Sequence, residues 1–404
     1  MLRARAAEAR PVATAPAPAV SSSVAIIQRR VPHYREAFFA GLHEHLGLLG
    51  ITLHVIVSSA TSGAPVIPGR PPWFQPVKSR RLTIGDRDVI WQCALRATAR
   101  HDLVIIELAP RIVSNYALIA RSRRGGPPVG GFGHGRNFVS TRSPGPRSAH
   151  AMFVRSVDWC FAYNDLSRDV FIGLGVPPGR VTAINNTIDT RRLSAAVAEH
   201  RRCGTNELRR SLGILGAPVA LYCGSLYRGK RLGFLFEAAL RLRKKHSGFT
   251  LVVLGDGPCE EEVKAFAGAH DWVHYFGRVV GVERAKYLAL ADVTLIPGLV
   301  GLVVLDAFAA GAPLVTTESS SHGPEIGYLR HAENGWSSPD TLDAYVNAVS
   351  LLLSDDQLLR RLQQGCAEAV QRYPLEQMVS RFSDGIVAAL GRHQTLATDS
   401  HDVR

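Results

Sequence analysis

Three glycine-bearing turns in the second half of the chain, each directly after an apolar run, carry residue types that can hold a diphosphate. The first is Gly224-Ser225-Leu226-Tyr227-Arg228-Gly229-Lys230-Arg231, where small residues admit close backbone approach and cations follow. The second is Gly255-Asp256-Gly257-Pro258. The third is Pro297-Gly298-Leu299-Val300-Gly301, followed by Leu302 and, about one turn into a helix, Asp306. In open α/β sheets ligands bind beyond the C-terminal ends of the strands, where helix N-termini offer unpaired amides to phosphate. Here the amides of Gly301 and Leu302 would face the phosphates, and a carboxylate at the depth of Asp306 can accept hydrogen bonds from a ribose diol. Each turn alone is equally explained by ordinary turn chemistry. Their common order and spacing are more specific.

The first half offers a different set. Gly131-Phe132-Gly133-His134-Gly135 follows an apolar run, and the flanking glycines let the backbone approach a ligand. A lone histidine is usually structural, but one bracketed by glycine at the end of a strand is not typical of a core and points to a functional contact. Arg29, Arg30, His33, Tyr34 and Arg35 cluster in the first strand-to-helix loop and suit an anionic ligand; a solvated basic loop is the plain alternative.

Alternating strands and helices must position these groups. Ser23 to Gln28, the run from Ile51, the run from Asp102, Pro127 to Phe132, the run from Trp159 and the run from Arg180 read as strands of the first half. In the helix entered at Pro32, Phe38, Phe39, Leu42 and Leu46 share one face. The second half repeats this grammar from Ala217, with a helix after Val303 stopped by Gly311. The pattern predicts an α/β protein of two Rossmann-like βαβ domains facing each other across a cleft. At 404 residues the chain is too long for one core.

The expected boundaries are a basic, Ala/Pro-rich disordered tail over 1–21, an acceptor-side domain over 22–200 and a nucleotide-binding domain over 201–374. The stretch 190–215 is polar and reads as the linker, Arg136 to Arg147 as a mobile loop, and 393–404 as a flexible tail. No run of about eighteen uninterrupted apolar residues occurs, and the tail lacks the apolar core of a signal peptide. The six cysteines are scattered, without metal-ligand spacing, and read as reduced, buried small hydrophobes.

Charge is divided unevenly. Residues 1–195 carry 25 Lys+Arg against 11 Asp+Glu, a net +14, whereas the remainder carries 22 against 23, a net −1. A compositional bias of the genome would act on both halves, so a basic face that meets an anionic partner is the better reading: a phospholipid surface, a lipid-linked diphosphate or nucleic acid. No helix-turn-helix or RNA-binding motif accompanies the charge, and nucleic acid ranks last.

Residues 224–335 resemble the donor half of glycosyltransferase family 4, retaining enzymes of the GT-B fold. The family's Gly-Arg-Leu-x₃-Lys-Gly loop is matched by Gly224, Leu226 and Lys230, and its Gly-Asp/Glu-Gly-Pro turn by residues Gly255 to Pro258. The helix after its E-x₇-E motif is matched from Gly301 through Asp306 to Gly311 and Pro313, and its following loop by Pro324-Glu325-Ile326 and Glu333-Asn334-Gly335. In the first half the likeness rests on Ile184 to Asp189 and the βα order. Three positions depart: Gly298 stands where the first acid is expected, Asp306 is shorter than the second, and Ser225 replaces the loop arginine.

The resemblance implies donor binding by Gly224, Ser225, Lys230, Gly255, Gly257, Gly298, Gly301, Leu302 and Asp306, with Glu325 standing in for the sugar contact absent at Gly298. His134, Lys230 and Arg228 would be catalytic, and Arg30, His33, Tyr34 and Arg35 would take the acceptor. It implies transfer of a hexose-type sugar from a UDP- or GDP-linked donor to a lipid-linked or saccharide acceptor, with retention and without a metal or other cofactor. Such a protein would be cytoplasmic, resting on the inner face of a membrane through its basic half, and the helix over 375–392 would cross back to the first domain. A catalytically impaired sugar-nucleotide-binding protein and a same-fold epimerase stay open as alternatives.

Overall fold

A computed structural model describes residues 22–59, 71–85, 87–136, 145, 147–319 and 322–401. The tail over 1–21 and most of the loop from Arg136 to Arg147 lie outside the described residues. Two sheets organise the chain. The first collects β1 (Ser23–Gln28), β2 (Thr52–Ser59), β3 (Phe74–Ile84), β4 (Arg87–Gln92), β5 (Leu103–Glu107), β6 (Val129–Gly133), β7 (Trp159–Ala162) and β8 (Val181–Ala183). Their order is β4-β3-β2-β1-β5-β6-β7-β8, parallel throughout except for the antiparallel β3–β4 pair. The second collects β9 (Val219–Cys223), β10 (Thr250–Leu254), β11 (Val273–Tyr275), β12 (Val293–Leu295), β13 (Leu314–Thr317) and β14 (Gly335–Ser338) in the order β11-β10-β9-β12-β13-β14, all parallel.

Parallel strands buried on both faces read as continuous apolar runs. That is the sequence of β5 (LVIIE), β9 (VALYC) and β10 (TLVVL), whose side chains are almost wholly buried. The crossovers in the first domain are α1 (His33–Leu48), α2 (Ser114–Ser122), α3 (Ala149–Arg155) and α4 (Asp165–Gly173). Asn164 caps α4 by accepting from the Ser167 amide at 3.1 Å.

The stretch read as a linker is helical. It forms α5 (Thr190–Arg202) and α6 (Thr205–Leu212), and Ile188, Leu193 and Val197 already belong to the second core. The change of core therefore falls at Ile188 rather than near 200. Arginines dominate the exposed face of α5 and conceal its narrow apolar stripe. The second domain adds α7 (Leu232–Lys245), α8 (Glu260–Ala269), α9 (Ala285–Leu288), α10 (Val303–Ala310), α11 (Leu342–Ser354) and α12 (Asp356–Arg372). Gly311 ends α10 in the left-handed region at φ 60°, a conformation that costs glycine nothing.

The last helix, α13 (Leu375–His401), returns to the first domain. It runs on through most of the segment expected as a flexible tail. Met378, Val379, Phe382 and Ile386 sit in the first core beside Phe38 and Phe161, with the Phe382 and Phe161 rings stacked at 4.4 Å. Gly385 permits this approach, because a Cβ there would lie 2.7 Å from the Phe161 ring. The hairpin β3–β4 has no counterpart among the expected strands, for basic residues interrupt its apolar positions and it contains Pro76.

Candidate active site

The C-terminal edges of the two sheets face each other across a cleft of about 1160 Å³. Residues just beyond β1, β5 and β6 line one wall, among them Arg30, Tyr34, Arg35, Glu107, Arg111 and His134; Leu299, Gly301, Leu302, Gly323 and Glu325 line the other.

On the first wall Glu107 orders the loop after β1. Its carboxylate accepts from the Arg29 amide at 2.8 Å and from Arg29 Nε at 2.5 Å. One turn on, the Arg35 guanidinium is buried among aromatic faces, 5.5 to 5.8 Å from the ring centres of Tyr34, Phe38, Phe132 and Tyr163. Cation–π attraction compensates part of its lost hydration. His134 packs on Tyr163 with ring centres 4.0 Å apart and the rings tilted by 40°. Burial, reinforced by the Arg35 charge, lowers the His134 pKa to about 4, so its imidazole is neutral near pH 7. It can accept or donate a hydrogen bond there but cannot serve as a cation. Burial pushes the Tyr163 phenol up to about 12, with Arg35 opposing.

The second wall is assembled mainly by backbone against backbone. The turn after β10 packs on the loop after β9: the Leu226 amide donates to the Asp256 carbonyl at 2.8 Å and the Cys259 amide to the Leu226 carbonyl at 2.9 Å. A Cβ on Gly255 would fall 1.9 Å from the Gly224 carbonyl, and one on Gly257 2.4 Å from the Leu226 carbonyl. Both glycines also have φ near 150°. Their required smallness is accounted for by loop packing, before any ligand is considered.

Gly298 belongs to the same construction. A Cβ there would lie 2.4 Å from the Gly229 carbonyl oxygen and 2.5 Å from the Lys230 carbonyl carbon. The 228–230 turn thus occupies the space a side chain at 298 would need, and the Leu299 amide donates to the Gly229 carbonyl at 2.9 Å. Lys230 is buried, with Nζ donating to the Leu299 carbonyl at 2.5 Å. Burial brings its pKa down to about 8. Arg228 and Ser225 are exposed on the same loop. Nearby, His322 orders the turn before α10: Nδ1 accepts from the Val300 amide at 3.2 Å, so Nε2 carries the proton and donates to the Thr317 carbonyl at 2.8 Å.

Asp306 is buried and does not line the cleft. Its Oδ2 accepts from Arg284 at 2.5 Å, while Oδ1 is buried without a hydrogen-bond partner. Burial raises its pKa and the Arg284 charge opposes that rise. A buried acceptor lacking a donor costs about 1–3 kcal/mol.

Glu325 lies where the two walls meet. It is almost fully buried, lines the cleft, and accepts from Asn186 Nδ2 of the first half at 2.8 Å. Burial raises its pKa, against its own amide, Asn186, Arg35 and Lys230. The segment around it is tied across the domains. Asn164 Nδ2 donates to the Pro324 carbonyl at 2.5 Å, and the Tyr328 hydroxyl donates to the Asn186 carbonyl at 3.0 Å.

Of the residues singled out from sequence, Arg30, Tyr34, Arg35, His134, Gly301, Leu302 and Glu325 reach the cleft, whereas Lys230, Gly255, Gly257, Gly298 and Asp306 form the structure behind it. His33 is exposed and points its ring edge at Tyr34, outside the lining. Sequence reasoning missed Glu107, Tyr163, Asn186, Arg284 and His322. Glu107 and Tyr163 could have been sought as polar residues ending apolar strands; Arg284 and His322 carry no local signal. It also overlooked an Asp-x-Asp triplet, Asp86 to Asp88. Asp88 pairs with Arg81 within the β3–β4 hairpin, and Asp86 lies outside the described residues. Among the described residues no group of three or more His, Cys, Asp or Glu side chains is arranged to hold a metal ion.

Comparison with known proteins places these features in a family context. Residues 217–355 match the model of glycosyl transferases group 1. An uncharacterised glycosyltransferase of Methanocaldococcus jannaschii is 28% identical over 198 residues, 47% of this chain and 49% of that protein. A GDP-mannose-dependent α-(1-6)-phosphatidylinositol monomannoside mannosyltransferase of Mycobacterium tuberculosis is 27% identical over 237 residues, 55% of this chain and 59% of that protein. The chain thus spans only about half the length of the curated relatives it matches. The Anabaena protein HepE, solved with UDP-glucose, superposes with a TM-score of 0.65 at 15% identity, covering 91% of this chain and 99% of that one. That likeness concerns the fold. The two facing sheets share the GT-B fold of that solved structure, and residues 217–355, which build the second of them, are similar to glycosyl transferases group 1.

Proposed function

We propose that this chain transfers a hexose-type sugar from a UDP- or GDP-linked donor to a lipid-linked or saccharide acceptor in cell-envelope glycan synthesis. One observation carries the reading: the buried Glu325 carboxylate lies in the cleft between the Lys230 loop and the Arg35–His134 wall, held by Asn186 from across the domain boundary. A carboxylate fixed in that position suits a sugar hydroxyl and supplies the contact that Gly298 lacks. The relatives named for GDP-mannose and solved with UDP-glucose support a nucleoside diphosphate on the second wall.

Departure of a diphosphate builds negative charge on the leaving oxygen. The amides of Gly301 and Leu302, with Lys230 and Arg228, would neutralise it without a metal. The acceptor hydroxyl would attack from the face the diphosphate leaves and pass its proton to the departing phosphate oxygen, retaining configuration and needing no protein nucleophile. His134, neutral at physiological pH, would take a hydrogen bond from the donor sugar or the attacking hydroxyl.

A thermal-shift panel of UDP- and GDP-sugars tests the donor, since a ligand bound only to the folded state raises its stability. Acceptor-dependent release of UDP or GDP then tests transfer, and Glu325→Ala should lower it by about a hundredfold or more. Stabilisation without turnover favours the impaired binding protein, a reading that the glycine at 298 keeps in view. A changed sugar without any acceptor favours the epimerase.

A further inference from the structure

We propose that the outward face of the β3–β4 hairpin is a docking surface for an anionic phospholipid bilayer, and that it holds the mouth of the cleft at the lipid headgroups. The proposal rests on the transferase reading only for what enters that mouth. The surface itself follows from register and exposure.

β3 pairs in parallel with β2 from Val55↔Phe74 to Ser59↔Lys78, where β2 ends. From Ser79 to Ile84 the strand continues with β4 alone, some 20 Å past the C-terminal end of its neighbour at ~3.3 Å per residue. This is the edge of the sheet that faces the cleft. The hairpin is braced to the cleft wall itself: the Ile90 amide donates to the carbonyl of Arg111, a lining residue, at 2.9 Å.

Alternation divides the hairpin into two faces. The inward one holds Ile90, buried, and Gln92, whose Nε2 donates to Ser58 Oγ at 2.8 Å. The outward one holds Lys78, Arg80 and Leu82 on β3, with Trp91 opposite Arg80 and Val89 opposite Leu82. Leu82 is 61% exposed and Trp91 37%. The one described carboxylate of the hairpin, Asp88, belongs to the inward register opposite Thr83 and pairs with Arg81.

A solvated edge hairpin usually carries polar side chains outward and mixes the signs of charge. Here a tryptophan and a leucine stand in water beside two cations, Lys78 and Arg80, with no carboxylate on their face among the described residues. That combination matches a membrane interface, where the indole settles at headgroup depth and Lys and Arg meet lipid phosphates. It also gives a place to the net +14 confined to residues 1–195. Charge decides among occupants: a second copy of the same face would set cation against cation.

The test is co-sedimentation of the full chain with vesicles of phosphatidylcholine alone or mixed with phosphatidylglycerol. Binding should require phosphatidylglycerol and weaken with salt. Lys78→Glu with Arg80→Glu should lower partition by roughly thirtyfold or more. Leu82→Ser with Trp91→Ser should lower it by about tenfold or more. Both variants should keep the wild-type thermal midpoint and its response to nucleotide sugars. Failure of the wild type to bind anionic vesicles, or variants that bind as the wild type does, overturns the proposal. So does self-association of the wild type that the hairpin variants abolish, which would assign the face to a second copy. If vesicle binding behaves as expected while no nucleotide sugar stabilises the protein, the transferase reading fails and the hairpin assignment stands.

Discussion

On the first wall of the cleft the groups available to a ligand are side chains on loops: Arg30 and Arg111 are exposed, and His134 stands over Tyr163. The second wall presents chiefly main chain, with glycines so closely apposed that a single carbon at 255, 257 or 298 would strike a carbonyl. A side-chain wall can change its ligand by substitution without disturbing the fold. A main-chain wall cannot, because its shape and its stability are the same contacts. Under the proposed function, the difference suits a cleft whose second side keeps one class of donor and whose first side is free to take different acceptors.

Substitutions should separate the walls by their effect on stability. The largest loss is expected for Asp306→Ala, which leaves the buried Arg284 guanidinium without its carboxylate; about 3–5 kcal/mol should appear in denaturant unfolding. Unchanged UDP and GDP affinity in that variant would remove Asp306 from the donor site. Gly298→Glu supplies the acid that the resemblance to glycosyltransferase family 4 leads one to expect at this position, yet should not improve the proposed transfer. It must displace the 228–230 turn, costs about 1–3 kcal/mol as an overpacked site, and should weaken nucleotide binding. A variant of normal stability and higher activity would refute the main-chain account of this wall.

Protons provide a milder perturbation. The folded Lys230 pKa of about 8 lies below its ordinary 10.5, so its ammonium is lost as pH rises through about 8. If that ammonium meets the diphosphate, nucleotide affinity measured calorimetrically should fall above pH 8 by up to tenfold per pH unit. His134 has the same sign of shift in a different window. Folding favours its neutral form, so its contribution is complete above about pH 6.5 and disappears as pH falls toward about 4. Thermal midpoints between those values should drop less in His134→Asn than in the wild type. The smallest stability change is expected at Arg30→Ala, within about 0.5 kcal/mol, with its effect confined to a higher acceptor KM. A large stability loss there would show that the first wall, too, is structural.

Local chemistry made much of this legible. Continuous apolar runs such as those of β5, β9 and β10 announce buried parallel strands, and the glycines after β9 and β10 announce turns at the ligand-binding edge. Those features depend on residues adjacent in the chain, so composition and spacing suffice. The same reasoning failed at the β3–β4 hairpin, where basic residues interrupt the apolar positions, and at α5, where exposed arginines outnumber the apolar stripe that decides the element.

The three glycine turns, the charge imbalance and the two-domain alternation were therefore determined by sequence alone. Tertiary structure decided what the individual residues do. It set Gly229 and Lys230 against Gly298, paired Arg284 with Asp306, and brought Asn186 and Glu325 to 2.8 Å from positions 139 residues apart. No spacing rule anticipates such contacts, because each depends on how loops and elements far apart in the chain pack and on which buried charge finds a partner there.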